Sequence, residues 1–262
     1  MLNDFILIQH RFDSGITIYP IGDVHLGAIE HCGPAWNSFC EMIRKDKSKK
    51  IILVGDLLNN ATRSSVSNIF EETLRPREQK KRMVEYLEPI RDHILCAVSG
   101  NHERRSGKDA DNDPVYDIMT KLDLEDYYRV NAAFMKIQLG ERSNAPNKGV
   151  STYTFLVTHG AGGGIYTGAA VNRNERFGNV VEGLDCLIVG HTHKGTVSKP
   201  SKIVIDTQNN KVTMKHYTVV SSISWLNYGG YALQKMLLPS EVAKPQQIVL
   251  GAKPTKNLEV RW

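Results

Sequence analysis

The chain is poor in cysteine: four in 262 residues, at Cys32, Cys40, Cys96 and Cys186, with no Cys-x-x-Cys pair. That spacing gives no disulfide framework, and Cys96 and Cys186 lie in apolar runs where a free thiol behaves as a small hydrophobe. A reducing, cytoplasmic location is the expectation. No stretch approaches the roughly 18 consecutive apolar residues that span a bilayer, so no membrane association is expected. The N-terminus, Met1-Leu2-Asn3-Asp4-Phe5, has an early acid and no basic region before an apolar run, unlike a secretion signal. Internal repeats and low-complexity tracts are also missing, so nothing points to a repeat architecture. The net charge of +5 and pI near 8.9 favour an acidic partner, yet there is no dense basic stripe of the kind a dedicated nucleic-acid binder carries.

What is present is ordinary for a globular protein, with 41% apolar and 23% charged residues. We expect residues 1–262 to form a single catalytic domain, with a C-terminal extension from about residue 239 that could be a strand or a docked tail. Short apolar, β-branched runs at 16–21, 51–54, 94–98, 153–157 and 186–189 read as buried strands, with further strands at 134–139, 202–206 and 211–220. The last two are joined by a Gln208-Asn209-Asn210 turn. Helices are predicted at 35–45, 71–92 and 115–122, the second bent or ended by Pro89 and the third capped by Asp113 before Pro114. Within the second, Arg77, Lys80 and Lys81 read as the solvated face opposite Met83, Val84, Leu87 and Ile90. Residues 140–149 read as an exposed hairpin tip, and 104–112 as a plain loop.

Five short motifs each follow one of the first five strands: Asp23-x-His25, Gly55-Asp56, Gly100-Asn101-His102-Glu103, Thr158-His159-Gly160 and Gly190-His191-Thr192-His193. They hold five of the nine histidines, more than core packing requires. Two divalent ions about 3.5–4 Å apart need one shared carboxylate, several imidazoles and an amide oxygen, with positions left open for water and a phosphoryl oxygen. Asp56 is the candidate for the shared carboxylate. Loops at the carboxyl ends of strands in α/β sheets line a common crevice, so motifs far apart in sequence can meet there. Mixed imidazole, carboxylate and amide ligation suits Mn²⁺, Fe²⁺, Zn²⁺ or Ni²⁺ better than Ca²⁺, and Mn²⁺ is the expected activator.

From Ile21 to Lys194 this motif series resembles the calcineurin-like metallophosphoesterase superfamily. The resemblance implies an α/β (α+β) fold, a four-layer sandwich of two mixed β-sheets flanked by helices. It implies that Asp23, His25, Asp56 and His193 hold one metal, and that Asp56, Asn101, His159 and His191 hold the other. His102 would stand beside the phosphate as a general acid, and Glu103 would orient or polarise its imidazole. The implied activity is phosphoester hydrolysis by a metal-bridging hydroxide, with no covalent enzyme intermediate.

Departures from the branches of the superfamily narrow the substrate. The segment Gly55-Asp56-Leu57-Leu58-Asn59-Asn60-Ala61 lacks the Arg-Gly pair of the protein-phosphatase branch, and Asn59 stands where purple acid phosphatases place a tyrosine. The nuclease branch is closer at Gly-Asp-Leu but differs at Asn59 and Glu103. A phosphodiesterase or nuclease acting on DNA, RNA or a nucleotide is the leading expectation. The alternatives are a phosphomonoesterase on a small metabolite and a metal-bound scaffold without turnover. Arg104 and Arg105 directly follow the His102 loop, where their charge can reach a substrate. After His159 comes Gly160-Ala161-Gly162-Gly163-Gly164, able to approach a ligand closely or move as a lid, and then Arg173 and Arg176. Arg104, Arg173 and Arg176 are therefore the candidate substrate-binding residues, weighed against solvated arginines on a mobile loop.

Overall fold

The computed structural model describes residues 5–62, 65, 69–141, 149–164, 166–239, 244–252 and 256–262. The first half runs β1 (Ile8–Phe12), β2 (Ile16–Ile21), α1 (Gly33–Arg44), β3 (Lys49–Leu53), α2 (Pro76–Leu87), β4 (Ile94–Val98), α3 (Glu103–Ala110), α4 (Pro114–Lys121), β5 (Tyr128–Arg129) and β6 (Ala132–Leu139). The second half runs β7 (Ser151–Thr158), α5 (Thr167–Asn179), β8 (Cys186–Val189), β9 (Thr196–Ser198), β10 (Ser201–Asp206), β11 (Lys211–His216), β12 (Thr218–Ser221), α6 (Gly230–Gln234), β13 (Gln247–Gly251) and β14 (Asn257–Arg261).

Two mixed sheets pack face to face. One has the order β14-β13-β2-β3-β4-β5, with β2 to β5 mutually parallel; the other has the order β1-β6-β7-β8-β12-β9, with β7, β8 and β12 parallel. Between them lies an apolar layer of Ile18, Ile52, Val54, Cys96 and Val98 from the first sheet against Met135, Ile137, Phe155, Val157 and Ile188 from the second. On the outer face of the first sheet, Tyr19, Ile21, Ile51 and Leu53 pack on Trp36, Phe39 and Ile43 of α1, Met83 and Leu87 of α2, and Val115, Ile118 and Met119 of α4. On the outer face of the second, Leu156, Leu187, Val189 and Val219 pack with Leu184, Tyr217 and Phe177 of α5. Helix, sheet, sheet and helix make the four layers that the resemblance implies. Central strands β4 and β8 are buried along their whole length, which is why they read as unbroken apolar runs rather than alternating ones.

Local chemistry explains most boundaries. Pro34 opens α1 and Pro76 opens α2, where a missing N–H costs nothing. Asp113 caps α4 by accepting from Val115 N and Tyr116 N. The predicted 71–92 helix is α2 with short 3-10 segments before and after it, and the regular helix stops at Leu87, before Pro89. No helix among the described residues is long and apolar enough to cross a membrane. The tail contributes β13 and β14, which pair as an antiparallel edge beside β2. The predicted hairpin tip joins β6 to β7, and residues 142–148 of it lie outside the described residues.

Three expectations are corrected. The run 211–220 is two strands: β11 pairs with β10 in a separate exposed hairpin, whereas β12 is buried between β8 and β9. The break falls at Tyr217, whose N–H bonds Pro200 O and whose ring tucks against α5. Residues 103–110 and 167–179 form helices α3 and α5 rather than loops. Neither shows an apolar stripe: α3 buries only Glu103, and α5 buries Ala170, Asn174 and Gly178 at helical spacing.

Candidate metal centre

Each of the five motifs sits just past the carboxyl end of a parallel strand. Asp23 and His25 follow β2, Asp56 follows β3, and Asn101 and His102 follow β4, three neighbours in one sheet. His159 follows β7 and the His191/His193 pair follows β8, neighbours in the other sheet. The packed sheets bring both sets of loops to one edge. The backbone there is held in unusual conformations: Asp23, His25, Asp56, His191 and His193 all adopt positive φ, between 47° and 70°. Non-glycine residues rarely do so unless their surroundings enforce it. The enforcing bonds run between motifs, from Asp23 N to Gly55 O, His25 N to Asp56 O and His191 N to Asp23 Oδ2, each 3.0 Å. Gly100 is required by proximity, since a Cβ there would lie 2.0 Å from Asp56 Oδ1.

The side chains converge in three overlapping groups that could hold metal: Asp23, His25 and His193; His25, Asp56 and His102; and Asp56, His159 and His191. Asp56 Oδ2 is 3.9 Å from His25 Nε2 and 3.3 Å from His159 Nε2, so one oxygen faces both ends of the cluster. His25 Nε2 meets His193 Nε2 at 3.1 Å, and His193 Nε2 lies 3.3 Å from Asp23 Oδ1. Asn101 Oδ1 is 3.0 Å from His159 Nε2 and 2.7 Å from His191 Nδ1.

These contacts fit cations better than they fit one another. Asp23 Oδ1 is buried with no well-aligned hydrogen bond, its near contact being His193 Nε2 at 3.3 Å. His159 Nδ1 lies 2.8 Å from Val54 O, which can only accept, so that nitrogen carries the proton and Nε2 of the neutral ring presents a lone pair. That lone pair faces another, on Asn101 Oδ1. A divalent cation between such groups removes the repulsion, and the donor set suits one.

The same carboxylates that would attract a cation also attract protons to the rings beside them. Although burial opposes it, the Asp56 carboxylate pushes His159 up to about 9. Burial works against the Asp56 carboxylate too, but the imidazoles of His159 and His102 hold it well below its ordinary value. His25, completely buried and beside His102, is held well below the usual imidazole range.

The two expected catalytic residues part company. His102 Nδ1 donates to Asn59 O at 2.7 Å, which turns Nε2 toward Asp56 Oδ2 at 3.8 Å. The expectation that Glu103 orients this ring does not match the geometry. Fully buried Glu103 instead accepts from Asp56 N and Gly100 N through Oε2, each at 3.0 Å, and from Leu58 N through Oε1 at 2.9 Å. It ties the β3 and β4 loops together, while the carbonyl of Asn59 orients His102. Burial and the nearby Asp56 carboxylate push the Glu103 carboxyl up to about 7.

Asn60 is a supporting residue that sequence reasoning passed over. Buried and at positive φ, it donates from Nδ2 to His102 O and Ser106 Oγ, and its N–H bonds Gln79 Oε1. An Asn four residues past the bridge, buried where a polar loop is expected, carries no periodic signal.

The candidate arginines are not brought to the cluster. Arg104 donates to Ser99 O and Val130 O at 3.0 and 3.1 Å. Arg173 donates to Gly162 O at 2.8 Å and to Gly163 O, bracing the glycine-rich loop, and Lys194 Nζ reaches Gly164 O at 3.1 Å. Arg176 lies on the exposed side of α5.

Comparison with known families decides the class: a family model described as calcineurin-like phosphoesterase matches residues 16–195. The chain belongs to the calcineurin-like phosphoesterase family. It is therefore a metal-dependent phosphoester hydrolase, and the clusters above are candidate ligands for the divalent metal that the family requires. Solved structures similar to this calcineurin-like phosphoesterase include a predicted phosphoesterase of Streptococcus pneumoniae (10% identity, TM-score 0.35, covering 95% of this chain and 100% of that one). The calcineurin-like phosphoesterase YfkN of Bacillus subtilis is 10% identical, with a TM-score of 0.39 over 95% of this chain and 91% of that one. A metallophosphoesterase of Sphaerobacter thermophilus is 14% identical, with a TM-score of 0.38 over 92% and 90%. Among curated proteins no significant match is found.

Proposed function

We propose that this phosphoesterase is a single catalytic domain that holds two divalent cations, Mn²⁺ by preference, and hydrolyses phosphodiesters of nucleic acids or nucleotides. The observation that carries the reading is the position of Asp56 Oδ2, facing His25 Nε2 on one side and His159 Nε2 on the other. Asp23, His25, Asp56 and His193 would hold one ion; Asp56, Asn101, His159 and His191 would hold the second. Two such ions supply Lewis acidity at the phosphoryl oxygens and a water acidic enough to act as nucleophile near neutral pH.

The chain's own residues do the rest. With Nδ1–H fixed on Asn59 O, His102 turns Nε2 into the cleft; burial lowers the ring's hold on a second proton, and a proton carried there can pass to the departing alkoxide. Asp56 Oδ1 accepts from His102 N at 2.8 Å, which fixes the spacing between the bridge and the acid. The diester preference is supported by the +5 net charge and by Asn60-Ala61 where protein phosphatases carry Arg-Gly. Turnover of bis-p-nitrophenyl phosphate and p-nitrophenyl phosphate by the Mn²⁺-loaded protein tests it. Faster turnover of the diester is expected; preference for the monoester would indicate a small-molecule phosphatase, and no turnover of either a non-catalytic scaffold.

A further inference from the structure

Arg105 stands beside the candidate acid rather than beside the metal ligands. Its Nη1 lies 3.5 Å from Asn59 O, the same carbonyl that His102 Nδ1 reaches at 2.7 Å. Outward from Asp56 Oδ2 the order is therefore His102, the Asn59 carbonyl and Arg105. The guanidinium is half-buried, yet among the described residues no carboxylate lies within 4.0 Å of it. Asp56, Glu103 and Glu72 are the anions whose charge reaches it. Asp56 and Glu103 are committed to the bonds described above, and Glu72 Oε1 already accepts from Asn59 Nδ2 at 3.1 Å and Ala61 N at 2.7 Å. One long bond to a carbonyl leaves most of the planar fork unused, whereas Arg104 and Arg173 each make two. A desolvated guanidinium in that state suits an incoming anion with two oxygens in one plane.

Resting on the phosphodiesterase reading, we propose that Arg105 binds a second phosphate, carried by the leaving group, one phosphate removed from the bond that breaks. The position follows from the chemistry: His102 marks the side from which the alkoxide departs, and Arg105 lies on that side, beyond the imidazole. Preferred substrates then carry consecutive phosphates, as a nucleic-acid strand does. Esters of neutral alcohols reach the metal ligands without engaging Arg105.

The test uses the Mn²⁺-loaded full chain, its Arg105→Ala and Arg105→Lys variants, and four diesters. These are bis-p-nitrophenyl phosphate, the dinucleoside monophosphate TpT, and TpT carrying an added phosphate at its 5′ or its 3′ end. The parent should show a lower KM for one end-phosphorylated form than for TpT. Arg105→Ala should raise that KM about 10- to 100-fold, the range of a charge-assisted bond. Its KM and kcat for TpT and bis-p-nitrophenyl phosphate should stay within about twofold, with metal content and melting temperature unchanged. Arg105→Lys should recover part of the loss, keeping the charge without the fork.

Equal losses on all four diesters would overturn the inference and leave Arg105 acting only on His102 or on the fold. So would a parent indifferent to the added phosphate. Turnover of bis-p-nitrophenyl phosphate by the parent reports on the phosphodiesterase reading alone; without it both ideas fall, and with it only this one is at stake.

Discussion

Glu103 gives the sharpest prediction, because two roles for it differ in what they would change. Its carboxylate accepts three buried backbone N–H groups, from Asp56, Leu58 and Gly100. Glu103→Gln keeps the shape but has only one acceptor oxygen. With that oxygen placed between Asp56 N and Gly100 N, the new amide N–H₂ must face Leu58 N–H. Two donors then point at each other in a fully buried position, and each buried group left without a partner costs about 1–3 kcal/mol. The expected destabilisation is about 2–4 kcal/mol, which for a chain of this size lowers the melting temperature by roughly 4–8 °C. Glu103→Ala orphans all three donors and should cost more, at least about 3 kcal/mol. Thermal unfolding by circular dichroism, with metal and with a chelator, measures both. If Glu103 worked by polarising His102, Glu103→Gln would melt within about 2 °C of the parent while changing how the rate depends on the leaving group. That result would refute the loop-tying role.

The remaining predictions concern the candidate ligands and acid. Asp56→Asn keeps its acceptor for His102 N but removes the charge facing both ends of the cluster. At an effective dielectric near 20, a unit charge pair 4 Å apart is worth about 4 kcal/mol, so each ion should bind at least about a thousandfold more weakly. Metal analysis after gel filtration checks this, and two tightly held ions in the variant would remove Asp56 from the bridging position. His102→Gln should retain metal and slow hydrolysis most for leaving groups of high pKa, since good ones depart without a proton. Uniform slowing across a series of substituted phenyl esters would exclude proton donation.

The sequence by itself determined the residue types of the candidate site and the strands that carry them. Buried parallel strands read as apolar runs, and each run ends where Asp23, Asp56, Asn101, His159 or His191 begins. Both signals are local, so they survive without the fold. Sheet order was not legible, because which strands pair depends on contacts between residues far apart in the chain. Nor was the break at Tyr217 visible, since Lys211–His216 and Thr218–Ser221 both consist of strand-forming residues and differ only in what covers them. Helices α3 and α5 escaped notice because neither buries an apolar stripe.

The aim of side chains at the site also belonged to tertiary structure alone. His102, Glu103, Arg104 and Arg105 are consecutive in the chain, and the helix that begins at Glu103 turns each successive residue by about 100°. One rotation sends Glu103 under the loops to the N–H groups of Asp56, Leu58 and Gly100, and Arg104 back to Ser99 O and Val130 O. It leaves His102 and Arg105 on the same carbonyl, Asn59 O. Sequence order makes the four neighbours equivalent, and only the packing of α3 against the β3 and β4 loops separates those that face the cleft from those that hold it in place.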